Sequence, residues 1–253
     1  MIKFFRKIRY NLMSENKTGK YFKYAIGEIV LVVIGILIAL WINNINIEHQ
    51  QDKERLTLIT NLKQELSENL DQFNGRINLI IDTTKKLIEV LNFSANSNTN
   101  KPMDSLRAYV SSALVIEVAI LNNSRLSSAK SSGKFSLLSE DITTAFADYE
   151  TSITNYLGFI NTTNSFFNED WAELVIKFNS LENFHNITYP KTNLATHPEF
   201  IIGDEALVKY LKEPQTYKLL HGYYTKFMVE KLWLEELKSR IEFTLATIKK
   251  EQL

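Results

Sequence analysis

An uninterrupted apolar run, IVLVVIGILIALWI at Ile29–Ile42, constrains this 253-residue chain more than any other feature of its sequence. As a helix, these fourteen residues measure about 21 Å, which is less than the roughly 30 Å hydrocarbon core of a bilayer. Extending the helix back to Tyr24 brings its length to about 28 Å and places Glu28 near one margin of the bilayer. The sequence therefore predicts a transmembrane helix over residues 24–43.

The basic residues are concentrated ahead of this run. The whole chain holds 29 basic and 29 acidic residues, but residues 1–23 hold seven Lys or Arg against one acid, Glu15. Segments rich in Lys and Arg beside a membrane span stay on its cytoplasmic side. This asymmetry therefore predicts a cytoplasmic N-terminus and an external C-terminal part. The segment MIKFFRKIRYNLM further predicts a basic amphipathic helix on the membrane surface, or a disordered basic flank that only sets the orientation. A nucleic-acid binder would instead carry its basic residues on the folded domain.

Two other structures can contain such an apolar run: a cleaved signal peptide and the buried core helix of a soluble domain. A signal peptide has a shorter basic region and a cleavage site of small residues, whereas this run is followed by WINNIN. A core helix would not require the basic segment ahead of it. We therefore expect an uncleaved single-pass anchor that contacts the lipid bilayer.

The opening MIKFFRKIR and the following SENKTGKYFKYAIGEIVLVVIGILIALWINN resemble the start of a domain-of-unknown-function family from Bacteroidetes-type bacteria. The stretch SSGKFSLLSEDITTAFADYE at residues 131–150 is similar to a recurring segment of the same family. The resemblance implies a single-pass protein of the bacterial inner membrane with one helical domain in the periplasm. It implies no activity and supplies no catalytic residues.

Beyond the run, apolar residues recur at three- and four-residue spacing, which is typical of a helix packed along one side. This stripe skips Thr84 and consists of Ile59, Leu62, Leu66, Leu70, Phe73, Ile77, Ile80, Leu87 and Leu91. The sequence predicts a helix of about ten turns here, which could be continuous with the membrane helix.

Helix start and stop signals define the remaining predicted elements. Pro102 and Asp104 favour the start of a helix over residues 103–121, and Gly133 favours the end of a short helix over residues 124–131. The other predicted elements are a helix from Ser139 to about Asn179, an ordered loop at 183–203, and two helices from Asp204 that are separated at Pro214.

Strand signals are poor, because no sustained alternation and no Asn-Gly or Asp-Gly hairpin occurs. The predicted fold class is therefore all-α, with one N-terminal transmembrane helix followed by an antiparallel helical bundle of four or five helices. We expect three parts: a cytoplasmic basic amphipathic segment at 1–23, a transmembrane helix at 24–43 and a periplasmic helical domain at 44–253.

Candidate catalytic and metal-binding residues are few. The lack of cysteine excludes disulfides, Cys-ligated zinc and thiol nucleophiles. Glu182 and His185 have the Glu-x-x-His spacing of di-iron bundles, but those bundles use it twice with two further glutamates, and one match is expected by chance. The pair Glu235-Glu236 fits a solvated face. Aromatic residues at helical spacing are more typical of a core than of a ligand cage: Phe166, Phe167, Trp171 and Phe178. We expect no catalytic residue, no cofactor and no metal.

Two classes of function fit these features. The first is a membrane-anchored periplasmic structural or interaction protein of the bacterial envelope, whose partner is another envelope protein or a second copy of the chain. The second is a sensory ligand-binding module; with only about 23 residues ahead of the span, it would signal through a partner protein. An enzyme is a distant third, and no nucleic-acid partner is expected.

One face of the predicted membrane helix carries small residues. Glu28, Gly35, Ala39 and Ile42 follow one another at spacings of seven, four and three, so they share a helical face. Gly35 and Ala39 form a small-xxx-small pair, which lets two helices approach closely. We expect this face to pack against another membrane helix; alternatively, the small residues merely suit a lone anchor, with Glu28 as a boundary residue that the helix N-terminus favours.

Overall fold

The computed structural model describes Tyr10 and residues 18–96, 101–114, 119–178 and 202–251, and its regular structure within these ranges is entirely helical. The elements are α1 (Thr18–Ala95), α2 (Met103–Leu114), α3 (Ser124–Ser131), a 3₁₀ turn (Lys134–Leu137), α4 (Glu140–Lys177), α5 (Asp204–Lys212) and α6 (Pro214–Glu251). The predicted all-α class is therefore confirmed for the described chain. The predicted continuity between the apolar run and the helix beyond it is also found, because both lie in α1.

Most predicted helix ends agree with the structure. α3 ends before Gly133, whose positive φ of 73° is the left-handed conformation that glycine adopts most readily at this position. The Ser139 hydroxyl accepts a hydrogen bond from the Ile142 backbone N–H and so caps α4. α6 begins at Pro214, where the sequence predicts a break. The predicted loop lies outside the described residues, apart from its last two positions, and the basic segment lies outside them except for Tyr10 and residues 18–23.

The predicted helix over 103–121 is too long. α2 ends at Leu114, and residues 119–123 have no helical structure. Beyond α2, the Asn122 backbone is bound by α1: its N–H donates to Asn69 Oδ1 and its carbonyl accepts from Asn69 Nδ2, both at 2.9 Å. A side chain of α1 therefore satisfies both backbone polar groups of this non-helical residue.

The chain divides between Leu58 and Ile59 into two units, and α1 contributes to both. In the first unit, α1 is long and apolar enough near its start to cross a membrane, and that apolar window is not buried by any described part of the chain.

The second unit contains the core, and its long helices share one spacing. Buried residues alternate at intervals of three and four along α1 from Ile59 to Val90, and along α6 from Thr216 to Ile248. α4 shows the same spacing at Ile142, Phe146, Tyr149, Ile153, Tyr156 and Ile160, all of which are buried. A strict alternation of three and four is the seven-residue repeat of coiled coils.

Contacts between these helices fix their directions. Thr244 lies against Ala145, and Lys226 donates to Asn164 at 2.8 Å, so α6 runs antiparallel to α4. Lys238 donates to Asn74 at 3.1 Å while Glu230 pairs with Arg76, so α6 also runs antiparallel to the second half of α1.

We expect a fragment of residues 48–253 to give a helix-dominated far-ultraviolet circular dichroism spectrum, because α1, α4 and α6 carry their core spacing within it. The spectrum should lose its helical signal in one cooperative thermal transition. A spectrum dominated by sheet would contradict the fold.

Candidate functional site

A column of polar residues occupies core positions of α1. Asn69, Arg76 and Thr83 are spaced by seven residues and are only 1%, 8% and 3% exposed. Because they repeat at one heptad position, they lie in line along the inner side of the helix. We call these three residues the polar column. The sequence prediction named the apolar neighbours of these residues and missed the column itself, although its seven-residue spacing was a visible signal.

Arg76 and Glu230 form a buried ion pair in the middle of the column. The Arg76 Nε and Nη2 atoms donate to the two carboxylate oxygens of Glu230 at 2.7 and 2.9 Å. Both side chains are almost fully shielded from solvent, at 7% and 1% exposure. A bidentate pair of this geometry is the strongest form of side-chain ion pair, and burial removes the screening by water.

Aromatic and basic side chains surround the pair. The Arg76 guanidinium lies over the Phe227 ring, 5.7 Å from its centre. Burial and then the Glu230 charge raise the pKa of Tyr156 to about 12. Burial likewise lowers the pKa of Lys226, and its neighbour Glu230 opposes that shift. The charges of Glu230 and Lys226 therefore interact electrostatically, and the Glu230 charge also acts on the Tyr156 hydroxyl.

Asn69 links three elements at the next position of the column. Its amide nitrogen donates to the Tyr149 hydroxyl of α4 at 3.0 Å, and its amide also makes both bonds to the Asn122 backbone described above. Burial is the main cause that raises the pKa of Tyr149 above its ordinary value. The bond to Tyr149 is buried and the two bonds to Asn122 are part-buried, so an unmet polar group on Asn69 would be costly.

Glu65 caps α3 from another helix. Its carboxylate accepts the backbone N–H groups of Arg125 and Leu126 at 2.6 and 3.1 Å, while the α3 N-cap residue Asn123 makes no side-chain capping bond. A carboxylate at a helix N-terminus satisfies free N–H groups and interacts favourably with the helix dipole. This long-range cap attaches α3 to α1.

One helical turn away, the Arg125 guanidinium donates to both oxygens of Glu68 at 3.0 and 3.2 Å. These hydrogen bonds hold the pKa of the Glu68 carboxyl below its ordinary 4.5. The contact therefore stabilises the fold above the ordinary pKa and is lost as the pH falls through the lowered value.

These groups can hold helices together more readily than they can perform chemistry. Arg76, Glu230, Glu65 and Asn69 form hydrogen bonds with one another, with Tyr149 or with backbone groups. Within the described residues, no group of three or more His, Asp or Glu side chains is arranged to hold a metal ion. The Glu182–His185 motif lies outside the described residues.

The remaining candidates from the sequence are four aromatic residues and the Glu235-Glu236 pair. Phe178 is buried as predicted, and Trp171 is half-buried and donates its indole N–H to the Leu114 carbonyl at 2.8 Å. The side chains of Phe166 and Phe167 lie outside the described part of the chain. Glu235 and Glu236 form i,i+4 ion pairs with Lys231 and Arg240 on the surface of α6.

The predicted membrane-helix face lies on the surface of α1. Gly35, Ala39 and Ile42 are exposed and Glu28 is half-buried. A Cβ atom placed on Gly35 would meet no other atom within 4 Å, so the position is sterically open within one chain. The packing role of this face stays a prediction.

We expect Gly35→Leu to lower the association of the 24–43 segment to the monomer baseline in a genetic transmembrane-association reporter. The leucine side chain would separate two helices at their closest approach. Val33→Leu, on the opposite face of the helix, should leave the signal unchanged. A wild-type segment that already gives the monomer baseline would show that this face does not mediate self-association.

Comparison with known proteins connects the chain to one family. Residues 28–139 match the sequence profile of a family of unknown function, DUF6090. No curated protein and no solved structure matches the chain. The matched segment contains Glu65, Asn69 and Arg76 but ends before Tyr156 and Glu230. The predicted resemblance is therefore confirmed: over residues 28–139 the chain is similar to a family of unknown function, DUF6090.

Proposed function

We propose that this chain is a membrane-anchored interaction or structural protein of the bacterial envelope. The observation that carries the proposal is the exposure of the apolar run: every residue from Ile29 to Ile42 is exposed, with Leu31 at 66% and Trp41 at 65%. Fourteen consecutive exposed residues without a polar side chain require an apolar environment, and a bilayer supplies it along the whole length of a helix.

The orientation follows from the charges. Seven basic residues at positions 3–23 favour the cytoplasmic side, which directs the helices from residue 44 onward to the periplasm of the inner membrane. We propose that these helices form an antiparallel bundle. The shared heptad spacing of α1, α4 and α6 supports this arrangement.

An interaction role fits the bundle better than catalysis. Its buried polar groups are engaged with one another across α1, α4 and α6, so the arrangement presents a fixed helical surface. A surface of this kind can bind another envelope protein or a second copy of the chain. The sensory alternative shares the same anchor, and its partner would be a protein that carries a signal across the membrane.

A topology reporter tests the orientation. We expect alkaline phosphatase fused after Leu253 to be active, because the enzyme matures only outside the cytoplasm, and a cytoplasmic reporter at the same point to be inactive. Replacing the five basic residues Lys3, Arg6, Lys7, Arg9 and Lys17 by glutamine should lower the phosphatase activity severalfold, because it removes most of the orienting charge. The reverse pattern of reporter activities in the unchanged chain would contradict the proposed topology.

Crosslinking in intact cells tests the interaction role. The full chain, treated with a lysine-reactive crosslinker, should capture a defined envelope protein or itself. A matched chain that ends at Leu58 keeps the anchor and lacks the second unit, so it should lose any product with an envelope protein and keep only self-association through the membrane helix. Identical products from both chains would mean that the helical domain selects no partner. Capture of a transmembrane signalling protein would favour the sensory alternative.

A further inference from the structure

The apolar residues of α1 and α6 repeat so regularly that they do not define a single alignment of the two helices. One core column of α1 holds Ile59, Leu66, Phe73, Ile80 and Leu87, and one core column of α6 holds Leu220, Phe227, Leu234, Ile241 and Ile248. All ten side chains are buried. Sliding α6 by seven residues, about 10.5 Å, would again place apolar side chains opposite apolar side chains.

The second core column of each helix does not repeat in this way. On α1 it holds Leu62, the polar column and Val90, and on α6 it holds Thr216, Tyr223, Glu230, Leu237 and Thr244. Arg76 and Glu230 are the only charged residues in these two columns. A slide of one heptad would place Tyr223 or Leu237 opposite Arg76, and neither side chain carries the carboxylate that the guanidinium needs.

We propose that the Arg76–Glu230 pair is a register lock, which fixes α6 against α1 and excludes alignments displaced by one heptad. The pair is suited to this role because both charges are buried and both guanidinium bonds are satisfied only in the observed alignment. Buried polar groups at core positions define register in this way because a mismatched partner leaves a buried charge unpaired. Slipped alignments should therefore be populated at least about 100-fold less than the observed one.

Cysteine pairs can report the alignment directly, because the natural chain contains no cysteine. Asn74→Cys with Lys238→Cys marks the observed register, since these two side chains are in contact. Asn74→Cys with Leu245→Cys marks an alignment that is displaced by seven residues. Each pair is introduced into the full chain in detergent and treated with a short bis-maleimide.

In the natural background, only the 74–238 pair should crosslink. In a background of Arg76→Leu with Glu230→Leu, the slipped pair should rise at least about tenfold, because apolar side chains then replace both charges. Exchanging the charges, with Arg76→Glu and Glu230→Arg, should keep the single observed register. Ile80→Leu with Ile241→Leu, which alters only the apolar columns, should also keep it.

Two results would overturn the proposal. The first is a slipped crosslink in the natural or the charge-exchanged background, which would show that the pair does not exclude other registers. The second is a folded double-leucine variant that crosslinks only at 74–238, which would show that apolar packing and chain connections set the alignment. If the double-leucine variant does not fold, the natural and charge-exchanged backgrounds decide.

Discussion

Replacing Arg76 by leucine is expected to lower the free energy of unfolding of the helical domain by about 3–5 kcal/mol. The substitution leaves the Glu230 carboxylate, which is 1% exposed, without the two guanidinium hydrogen bonds that it accepts in the native chain. An unpaired buried charge retains the cost of its lost hydration and gains nothing in return. Urea denaturation of residues 48–253, followed by circular dichroism at 222 nm, would measure the change.

A double variant separates the cost of breaking the pair from the value of the pair. Arg76→Leu with Glu230→Leu removes both charges and should recover most of the lost stability, because a buried pair and an apolar replacement are often nearly equivalent. Lys238→Leu, which breaks a partly exposed contact with Asn74, is the matched surface control and should change stability by less than about 1 kcal/mol. A single Arg76→Leu variant as stable as the natural chain would show that the pair is solvated.

The helices were largely predictable because their signals are local. The three- and four-residue spacing predicted the second half of α1, and Gly133, Ser139 and Pro214 each mark a helix end through their own backbone or side-chain chemistry. The apolar run predicted a membrane-spanning helix, and Ile29–Ile42 lies within α1 and is exposed throughout.

The core positions of α1 were only partly predictable, because the prediction followed apolar residues. It selected Leu70 and Ile77, whereas the strict heptad passes through Asn69 and Arg76. Leu70 is half-buried, and Asn69 beside it is 1% exposed. A buried polar side chain forms a hydrogen bond with another group, but spacing alone does not identify that group.

Contacts between distant segments were not predictable at all. Glu230 follows Arg76 by 154 positions, and the Arg125 N–H that Glu65 accepts is 60 positions away. Such pairs depend on how the helices pack against one another, and a single sequence contains no local signal for that packing. For the same reason, the attachment of the Asn122 backbone to Asn69, 53 positions away, was missed.

The cap of α3 by Glu65 gives the second large expected effect. Glu65→Ala should lower the free energy of unfolding by about 3 kcal/mol, because two backbone N–H groups lose charge-assisted hydrogen bonds and the Leu126 N–H is buried. Asn123 cannot take over the cap without rearrangement, because its N-cap backbone already has φ −122° and ψ 24°, outside the usual extended conformation. Loss of α3 should also raise amide hydrogen exchange locally over residues 124–131.

Two variants at neighbouring positions test whether this effect comes from the long-range cap. Glu65→Gln keeps one good acceptor oxygen and should lose less stability than Glu65→Ala. Glu68→Ala removes the part-buried contact with the Arg125 guanidinium and an exposed bond from Gln64 but leaves the cap of α3 in place, so its effect should be clearly smaller and should disappear at a pH below the lowered pKa of Glu68. Equal losses for Glu65→Ala and Glu68→Ala, with unchanged exchange over α3, would mean that ion pairing with Arg125, and not the capping of two backbone N–H groups, attaches α3 to α1.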